Sequence, residues 1–536
     1  MVSKFLDLPE YVHVVLVLWG VSIFVVGYFY RHSPKKNRVG FMGTLTVITT
    51  LFFFVLLYFW QKNRIDFDPV RLAVFPFAGH FEDQGSHHWE GFALAEATTR
   101  YLSQIDPEQL FPYETAWLFT ALNADSMTSK AYLLRFSKRV KLDYVVVGSV
   151  QETSAKQYQI ESQLIAVSNQ EVVVDERENV PRDGLLSFTN NLGAKVSAKL
   201  MGGQGNVPLG SDQLLDSGVV DYFVAKQLFL NSHYEQALAH AEASFKEDST
   251  SIQRLNLLAE VLLGMANENY QNGKNSYWQY QQAKVALQKV LALDAYESHA
   301  LRLLGELNIE DRKWTQAESY LKQAIKANPW DPRIYYLLTQ LHRSRYRDLG
   351  FANEEALLKR AIYINPCFFE ARFALANYYE KKKRLDVSID LVKEVLNINP
   401  TSIDGLMAIG KLYMAQNDLL HVLETYEKLL KLQPENADAY YNLGIVYYHS
   451  KDYETAIKFF KRAIEIGDHL NSHLFLAYIY ELQGKMGLAV KHLRIRVRKQ
   501  VNEHDVYAEE ARKHLFEIMQ RKGVIDSLYS SSNHKN

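Results

Sequence analysis

The sequence predicts a membrane-anchored multidomain protein. It would have two N-terminal transmembrane helices, a small α/β domain and an all-α superhelix of repeated helix pairs. Three observations predict this order: two charge-free apolar stretches near the N terminus, a middle region that mixes strand-like and helical patterns, and a motif in the C-terminal half that recurs about every 34 residues. At 536 residues the chain is too long for one domain.

The recurring motif is clearest in the stretch 437–468. Its first half keeps the spacing aromatic-x2-Leu-Gly-x2-Tyr, and its second half keeps Ala-x3-Phe-x2-Ala. The residues at these positions are Tyr440, Leu443, Gly444, Tyr447, Ala456, Phe460 and Ala463. Two short helices that pack closely need small residues where their backbones approach and large residues in the gaps. This spacing is the signature of the tetratricopeptide repeat.

Neighbouring stretches repeat the pattern. A proline closes four successive units, at Pro329, Pro366, Pro400 and Pro434. One helix pair cannot bury its apolar face alone, so such units stack into an array. We predict about eight repeats over 218–503 and a capping helix over 504–522.

Two stretches near the N terminus have the length and composition of membrane spans. Tyr11–Tyr30 and Phe41–Trp60 contain no Asp, Glu, Lys or Arg, and both end in aromatic residues. We therefore predict a transmembrane helical hairpin over 1–64. A buried core hairpin and a cleaved signal peptide are the alternatives; the long charge-free runs argue against the first and the immediate second span against the second.

The connector 31–40 carries four basic residues and so is predicted to lie in the cytoplasm. Both termini and the soluble domains would then lie in the periplasm, with the hairpin in a bacterial inner membrane. Glycines at Gly20, Gly27 and Gly43 would allow the hairpin to pack closely against another integral membrane protein.

The region 65–202 mixes strand and helix patterns, with strand-like runs at VRLAVFPFAG, DYVVVGSVQET and QYQIESQLIAVSNQEVVVDERENV. RLAVFPFAG, then LDYVVVGSVQ and QYQIESQLIAVSNQEVV, resemble the TolB amino-terminal-like domain. The resemblance implies an envelope assembly or sensing module without catalysis of its own. A glycine-rich linker is predicted over 203–217 and a disordered tail over 523–536.

Composition and motifs argue against catalysis, nucleic-acid binding and metal binding. The net charge of −1 gives no reason to expect a nucleic acid, and the lone Cys367 excludes an internal disulfide. GGQG at 202–205 lacks the lysine of a phosphate loop. A loop cluster (His80, Glu82, Asp83, His87, His88) could ligate a metal, but its spacing matches no known site. The histidines His469 and His473 are four positions apart, but they lie at a repeat junction, where helical facing is not assured. We predict no enzyme, no metal site and no cofactor.

The inner face of the superhelix is the predicted partner surface, because the first helix of each pair forms it. Positions that follow the signature aromatic at helical spacing should face it. These positions are Phe373, Asn377, Met407, Lys411, Met414, Tyr441, Ile445, Tyr448, Leu474 and Tyr478. The alternative is that they contact the capping helix or another part of the same chain. An earlier repeat offers a more charged surface at Arg302 and Glu306.

Two functions fit this organisation. The first is a non-catalytic scaffold that binds protein partners through this face and helps to assemble an envelope complex for secretion, motility or surface polymer. The second is an envelope sensor, in which the TolB-like domain binds a ligand and signals through the hairpin.

Overall fold

A computed structural model describes the chain at residues 69–80, 89–105, 107, 109–122, 129–154, 157–202, 217–341, 349, 351–501 and 505–521. The two predicted spans, the connector, Gly20, Gly27, Gly43, nearly all of the predicted linker and the predicted tail lie outside the described residues. Within the described residues, no helix combines the length and apolar character that crossing a bilayer requires.

The chain divides into two compact units. The first comprises 1–71 and 106–111, most of which lies outside the described residues. The second comprises 72–105 and 112–536 and holds most of the α/β region and all of the described helical array. The site and the contacts described below belong to this second unit.

The α/β region contains one mixed sheet. Its strands are β1 (Val70–Val74), β2 (Ala78–His80), β3 (Leu110–Tyr113), β4 (Tyr144–Ser154), β5 (Gln157–Ala166) and β6 (Val172–Pro181). The strand order is β3-β1-β4-β5-β6, with β2 also paired to β4. β1 and β2 run parallel to β4, whereas β4, β5 and β6 form an antiparallel meander. Alternate residues of β5 are buried, so one face of the meander carries the core.

Four helices accompany the sheet: α1 (Glu90–Leu102), α2 (Thr115–Ala121), α3 (Lys130–Arg139) and α4 (Leu185–Leu200). α1 packs against α4, and Gly91 at its start approaches the chain that leaves β1. A Cβ atom at Gly91 would lie 2.1 Å from the carbonyl oxygen of Phe77, which leaves room only for glycine. α2 follows β3 directly, and this short connection fixes where α2 begins.

The rest of the described chain is helical. Its helices are α5 (Ser217–Leu230), α6 (Tyr234–Glu247), α7 (Ile252–Gln271), α8 (Tyr277–Leu293), α9 (Ser298–Glu310), α10 (Trp314–Ala327), α11 (Pro332–Thr339), α12 (Glu354–Ile364), α13 (Phe369–Lys381), α14 (Leu385–Ile398), α15 (Ile403–Ala415), α16 (Leu419–Leu432), α17 (Ala437–His449), α18 (Tyr453–Gly467), α19 (Leu470–Leu482), α20 (Met486–Arg498) and α21 (Val506–Arg521). From α5 to α20, consecutive helices pack as eight hairpins, and each hairpin packs on the next. α21 packs on the last hairpin.

Small residues face large ones inside these hairpins. A Cβ atom at Gly444 in α17 would lie 2.6 Å from the ring of Phe460 in α18. A Cβ atom at Gly410 in α15 would likewise lie 2.7 Å from the ring of Tyr426 in α16. Because Phe460 and Tyr426 are fully buried, the small-against-large spacing of the sequence motif sets how closely the two helices of a hairpin approach.

Candidate functional site

A cavity of about 540 Å³ lies between α2 of the α/β region and the helical array. The first helices of five consecutive hairpins (α7, α9, α11, α13 and α15) contribute to its wall. Its other residues come from the end of α5, the start of α6 and the turn between them, from the residues just before α11, α13 and α15, and from the residue before α2 and the start of α2. Repetition of one hairpin thus brings residues that are far apart in sequence to one surface.

Carboxylic acids outnumber cations in the cavity wall. The acidic residues are Glu114, Glu260, Asp331, Glu370 and Asp404, and the basic residues are His299, Arg302 and Arg333. The Nε2 atom of His299 lies 3.0 Å from the Oε1 atom of Glu260, and the Nε atom of Arg302 lies 2.9 Å from the Oδ2 atom of Asp331. Arg302 is buried, so its charge is held in place by these neighbours.

The two glutamates nearest these pairs have opposite pKa shifts. Burial alone would raise the pKa of Glu260, but the charge of His299 and its hydrogen bond outweigh burial and lower the pKa to about 2. Burial raises the pKa of Glu114 to about 7, and the negative charge of Asp331 adds to this effect. Within the part of the chain that the structure describes, Glu114 makes no ion pair or side-chain hydrogen bond. Glu114 is thus exposed on the cavity wall, and its carboxyl group is unpaired among the described residues.

Aromatic rings make up much of the remaining wall. The rings are those of Trp117, Phe229, Tyr234, Phe368, Phe369 and Phe373. An aromatic wall with a few polar groups is typical of a binding pocket rather than of packed core. Of the ten residues predicted for the partner surface, Phe373 lies in this cavity wall.

Apart from Phe373, the predicted residues of the middle repeats do not line the cavity. Phe373, Met407 and Met414 are partly buried and pack against the apolar core of α13 to α17. Asn377 and Lys411 are exposed. These positions remain a predicted surface, and the structure gives them no occupant.

The predicted residues of the last repeats contact the capping helix. We name the five residues Tyr441, Ile445, Tyr448, Leu474 and Tyr478 the aromatic surface; they belong to one apolar cluster with α21. Tyr478 donates a hydrogen bond to Glu510, and its ring meets that of His514 at 5.1 Å. Tyr441 is hydrogen-bonded to Tyr507. At this end of the array, the predicted partner residues therefore contact the capping helix, which was the alternative to a partner surface.

The sequence patterns did not indicate the contacts that join the α/β region to the first hairpin. The Nζ atom of Lys226 in α5 lies 2.5 Å from the Oε1 atom of Glu96 in α1. Arg100 in α1 donates to the Oη atom of Tyr222 at 3.1 Å. We name these four residues the junction cluster. Lys226 is the only basic residue of α5, which is mostly apolar, and this charge is the signal that could have indicated a buried ion pair.

The predicted metal candidates are not brought together. His469 stacks on Tyr441 with ring centroids 4.1 Å apart, whereas His473 faces His492, with their Nδ1 atoms 2.7 Å apart. Of the loop cluster, His80 ends β2 and the other members lie outside the described residues. Among the described residues, no group of three or more His, Cys, Asp or Glu side chains could hold a metal ion.

The histidine pair predicts a pH dependence of stability. Burial, and then the neighbouring His473, lower the pKa of His492 to about 4, whereas an unfolded histidine titrates near about 6.5. The unfolded chain therefore binds the proton more readily, so this contribution to stability is lost as the pH falls from about 6.5 toward 4. Replacing His492 with glutamine should reduce the fall in Tm between pH 7 and pH 5. Replacing the exposed His449 with glutamine should leave that fall unchanged.

Comparisons with known proteins agree with the helical array. Two stretches, 279–341 and 407–471, match family models described as the tetratricopeptide repeat. The chain therefore contains tetratricopeptide repeats, which are generally found in non-catalytic proteins that bind other proteins, and the matching models indicate no enzyme family. A search of curated proteins finds no match.

Solved structures of repeat proteins are similar over part of the chain. A crystal structure of MamA is 22% identical over 29% of this chain and 92% of its own, with a TM-score of 0.26. YrrB, described as a TPR protein with an unusual peptide-binding site, is 15% identical over 37% of this chain and 98% of its own, with a TM-score of 0.29. A human IFIT1 dimer with PPP-AAAA is 17% identical over 59% and 84%, with a TM-score of 0.36.

Neither matching family model extends over the α/β region or the N-terminal stretch. The TolB resemblance and the transmembrane hairpin therefore stay predictions.

Proposed function

We propose that this protein is a non-catalytic scaffold that binds a protein partner on the inner face of its repeats. The observation that carries the proposal is the cavity, where the first helices of five consecutive hairpins present aromatic and charged side chains to one space. Tetratricopeptide repeats use this face to bind extended partners. The cavity favours the first six hairpins of the array for binding, because α21 already occupies the aromatic surface at the other end.

We also propose where in the cell the protein lies. The hairpin over 1–64 anchors the protein in a bacterial inner membrane, with the soluble domains in the periplasm. There the scaffold helps to assemble an envelope complex for secretion, motility or surface polymer. Gly20, Gly27 and Gly43 let the hairpin pack against an integral membrane protein of that complex. The two charge-free stretches, the basic connector and the TolB resemblance support this part of the proposal.

One observation supports the sensor alternative. The junction cluster, together with the stacking of Trp89 on Phe223 at 6.2 Å, couples the α/β region to the first hairpin. A ligand that changed the α/β region would therefore act directly on the repeats. This function predicts a ligand-dependent rise in Tm, which a scaffold does not require.

An affinity pull-down of the full-length protein in mild detergent, with mass spectrometry, tests the scaffold. Replacing Phe369 at the cavity wall with alanine should weaken capture of the principal partner by about tenfold or more, because buried aromatic anchors dominate interface energies. The same replacement of Phe516, which is 52% exposed on α21, is the matched control and should leave capture unchanged.

A variant that lacks residues 1–64 tests whether a partner binds the predicted transmembrane hairpin. A partner that binds the transmembrane hairpin should no longer be captured by this variant, whereas a partner that binds the cavity should still be captured. If full-length protein captures no partner in stoichiometric amount, the scaffold proposal is wrong and the sensor takes its place.

A further inference from the structure

The cavity has a surplus of negative charge that the chain itself does not neutralise. Glu260 and Asp331 are paired with His299 and Arg302. Three other acids of the wall, Glu114, Glu370 and Asp404, form no ion pair with any described residue. Arg333, which also lines the cavity, is exposed and forms no ion pair with the described chain, so one unpaired cation faces three unpaired acids.

Glu114 is the most informative of the three acids. It immediately precedes α2, but its side chain does not cap that helix. Charged groups approach it from every neighbouring element: Asp331 and Glu96 disfavour its negative charge, whereas Lys226 and His299 favour it. Desolvation by the surrounding protein is the largest cause of the raised pKa of about 7, and the charge of Asp331 adds to it, so the carboxyl group is partly protonated at neutral pH. A cation that entered the cavity would displace this proton and restore the carboxylate.

The aromatic residues of the cavity wall also suit a cationic side chain. Faces of tryptophan, tyrosine and phenylalanine attract ammonium and guanidinium groups, and they also pack against the methylene stem of lysine or arginine. Trp117 lies in the wall beside Glu114, and Phe369 lies beside Glu370. The cavity volume of about 540 Å³ exceeds one side chain and lies in the range of ligand pockets, so a short stretch of peptide fits.

We propose that the cavity binds a lysine or arginine side chain on an extended, basic segment of the partner protein, with Glu114, Glu370 and Asp404 as its charge partners. The inference rests on the proposed scaffold function and adds the chemistry of the partner. Charge complementarity selects this occupant, because an acidic segment would meet three unpaired carboxylic acids.

A peptide array probed with full-length protein in mild detergent tests the proposal. The array carries three sets of octapeptides with otherwise randomised sequence: central lysine and arginine, central aspartate and glutamate, and central serine and asparagine. Binding should concentrate in the first set, and the strongest member is then titrated by fluorescence anisotropy.

Replacing Glu114 with glutamine should weaken that peptide by about tenfold without loss of folded protein, since the side chain has no structural partner to lose. Replacing the exposed Glu435 with glutamine is the matched control and should change nothing. Wild-type affinity should rise as the pH increases through about 7, because Glu114 loses its proton there, and this rise should disappear in the Glu114→Gln variant.

Three outcomes would overturn the inference. They are equal binding of all three sets, no binding of any set, and binding of basic peptides that Glu114→Gln does not weaken. If acidic or neutral peptides bind and Phe369→Ala weakens them, the cation preference fails while the scaffold function stands. The pull-down of the native partner decides the scaffold function separately.

Discussion

Replacing Glu96 with glutamine is expected to destabilise the contact between the α/β region and the first repeat hairpin by about 3–5 kcal/mol. The carboxylate of Glu96 lies 2.5 Å from the Nζ atom of Lys226 and 3.8 Å from the Nη2 atom of Arg100. The side chains of Glu96 and Lys226 are 12% and 19% exposed, so solvent screens this pair only weakly. The substitution leaves the largely buried Lys226 and the partly exposed Arg100 beside a neutral amide, and an uncompensated charge at a buried site is costly.

Hydrogen exchange of the amides in α1 and α5 measures this loss locally, which avoids assuming that the multidomain chain unfolds in one step. The double variant Glu96→Gln with Lys226→Met should recover much of the lost stability, because it removes the stranded charge. The matched control is Glu176→Gln, which breaks an exposed pair with Lys195 and should cost at most about 1 kcal/mol. Equal losses in Glu96→Gln and Glu176→Gln would show that the junction cluster does not hold the two parts together.

Local spacing predicted the helical array because the interactions that build it are local. The small residue at Gly444 and the large one at Phe460 are 16 positions apart, and two other hairpins repeat the contact at the same separation, between Gly305 and Leu321 and between Gly410 and Tyr426. The two family models confirm the repeats. The strand at VRLAV was predicted in the same way, from a short apolar run, and the structure has β1 at Val70–Val74.

Contacts between distant parts of the chain were not predictable from spacing. Helical position indicated Phe373 as an inner-face residue, but Phe368 and Phe369 reach the cavity from a turn, where helical spacing does not apply. The sequence patterns indicated neither β3 nor α2. Glu114 lies between these two elements, and Trp117 lies in α2. β3 has four residues and contains Pro112, so it is too short to show the alternation of a strand.

The aromatic surface is a second case in which sequence spacing does not predict a contact between distant parts of the chain. Its spacing correctly marks positions that the core of its own hairpin does not require, but spacing alone does not say what covers them. Tyr478 and Tyr441 meet residues of α21, 32 or more positions further along the chain. An unpartnered face in a sequence is therefore equally compatible with a binding surface and with a terminal cap.

The attachment of that cap provides the second large prediction. Replacing Asp505 with alanine is expected to destabilise α21 by about 3–5 kcal/mol. Asp505 accepts hydrogen bonds from the backbone N–H groups of Val501 at 3.0 Å and Ala508 at 3.1 Å, so it caps the start of α21. Its Oδ1 atom also lies 2.5 Å from the Nη2 atom of Arg496, whose side chain is 2% exposed. Loss of the carboxylate both uncaps the helix and strands a buried guanidinium.

Hydrogen exchange in α21 should rise in the Asp505→Ala variant, and the aromatic surface beneath it should become accessible to an apolar dye. Asp452 caps α18 through the backbone N–H of Thr455 without a buried arginine, so Asp452→Ala is the matched control and should destabilise its helix less than Asp505→Ala destabilises α21. Similar losses in the two variants would assign the effect to capping alone. A larger loss for Asp505 assigns the excess to Arg496, which still donates to Asn471 at 3.1 Å but loses its charge partner. In that case one buried ion pair keeps the aromatic surface closed and leaves the cavity as the available partner surface.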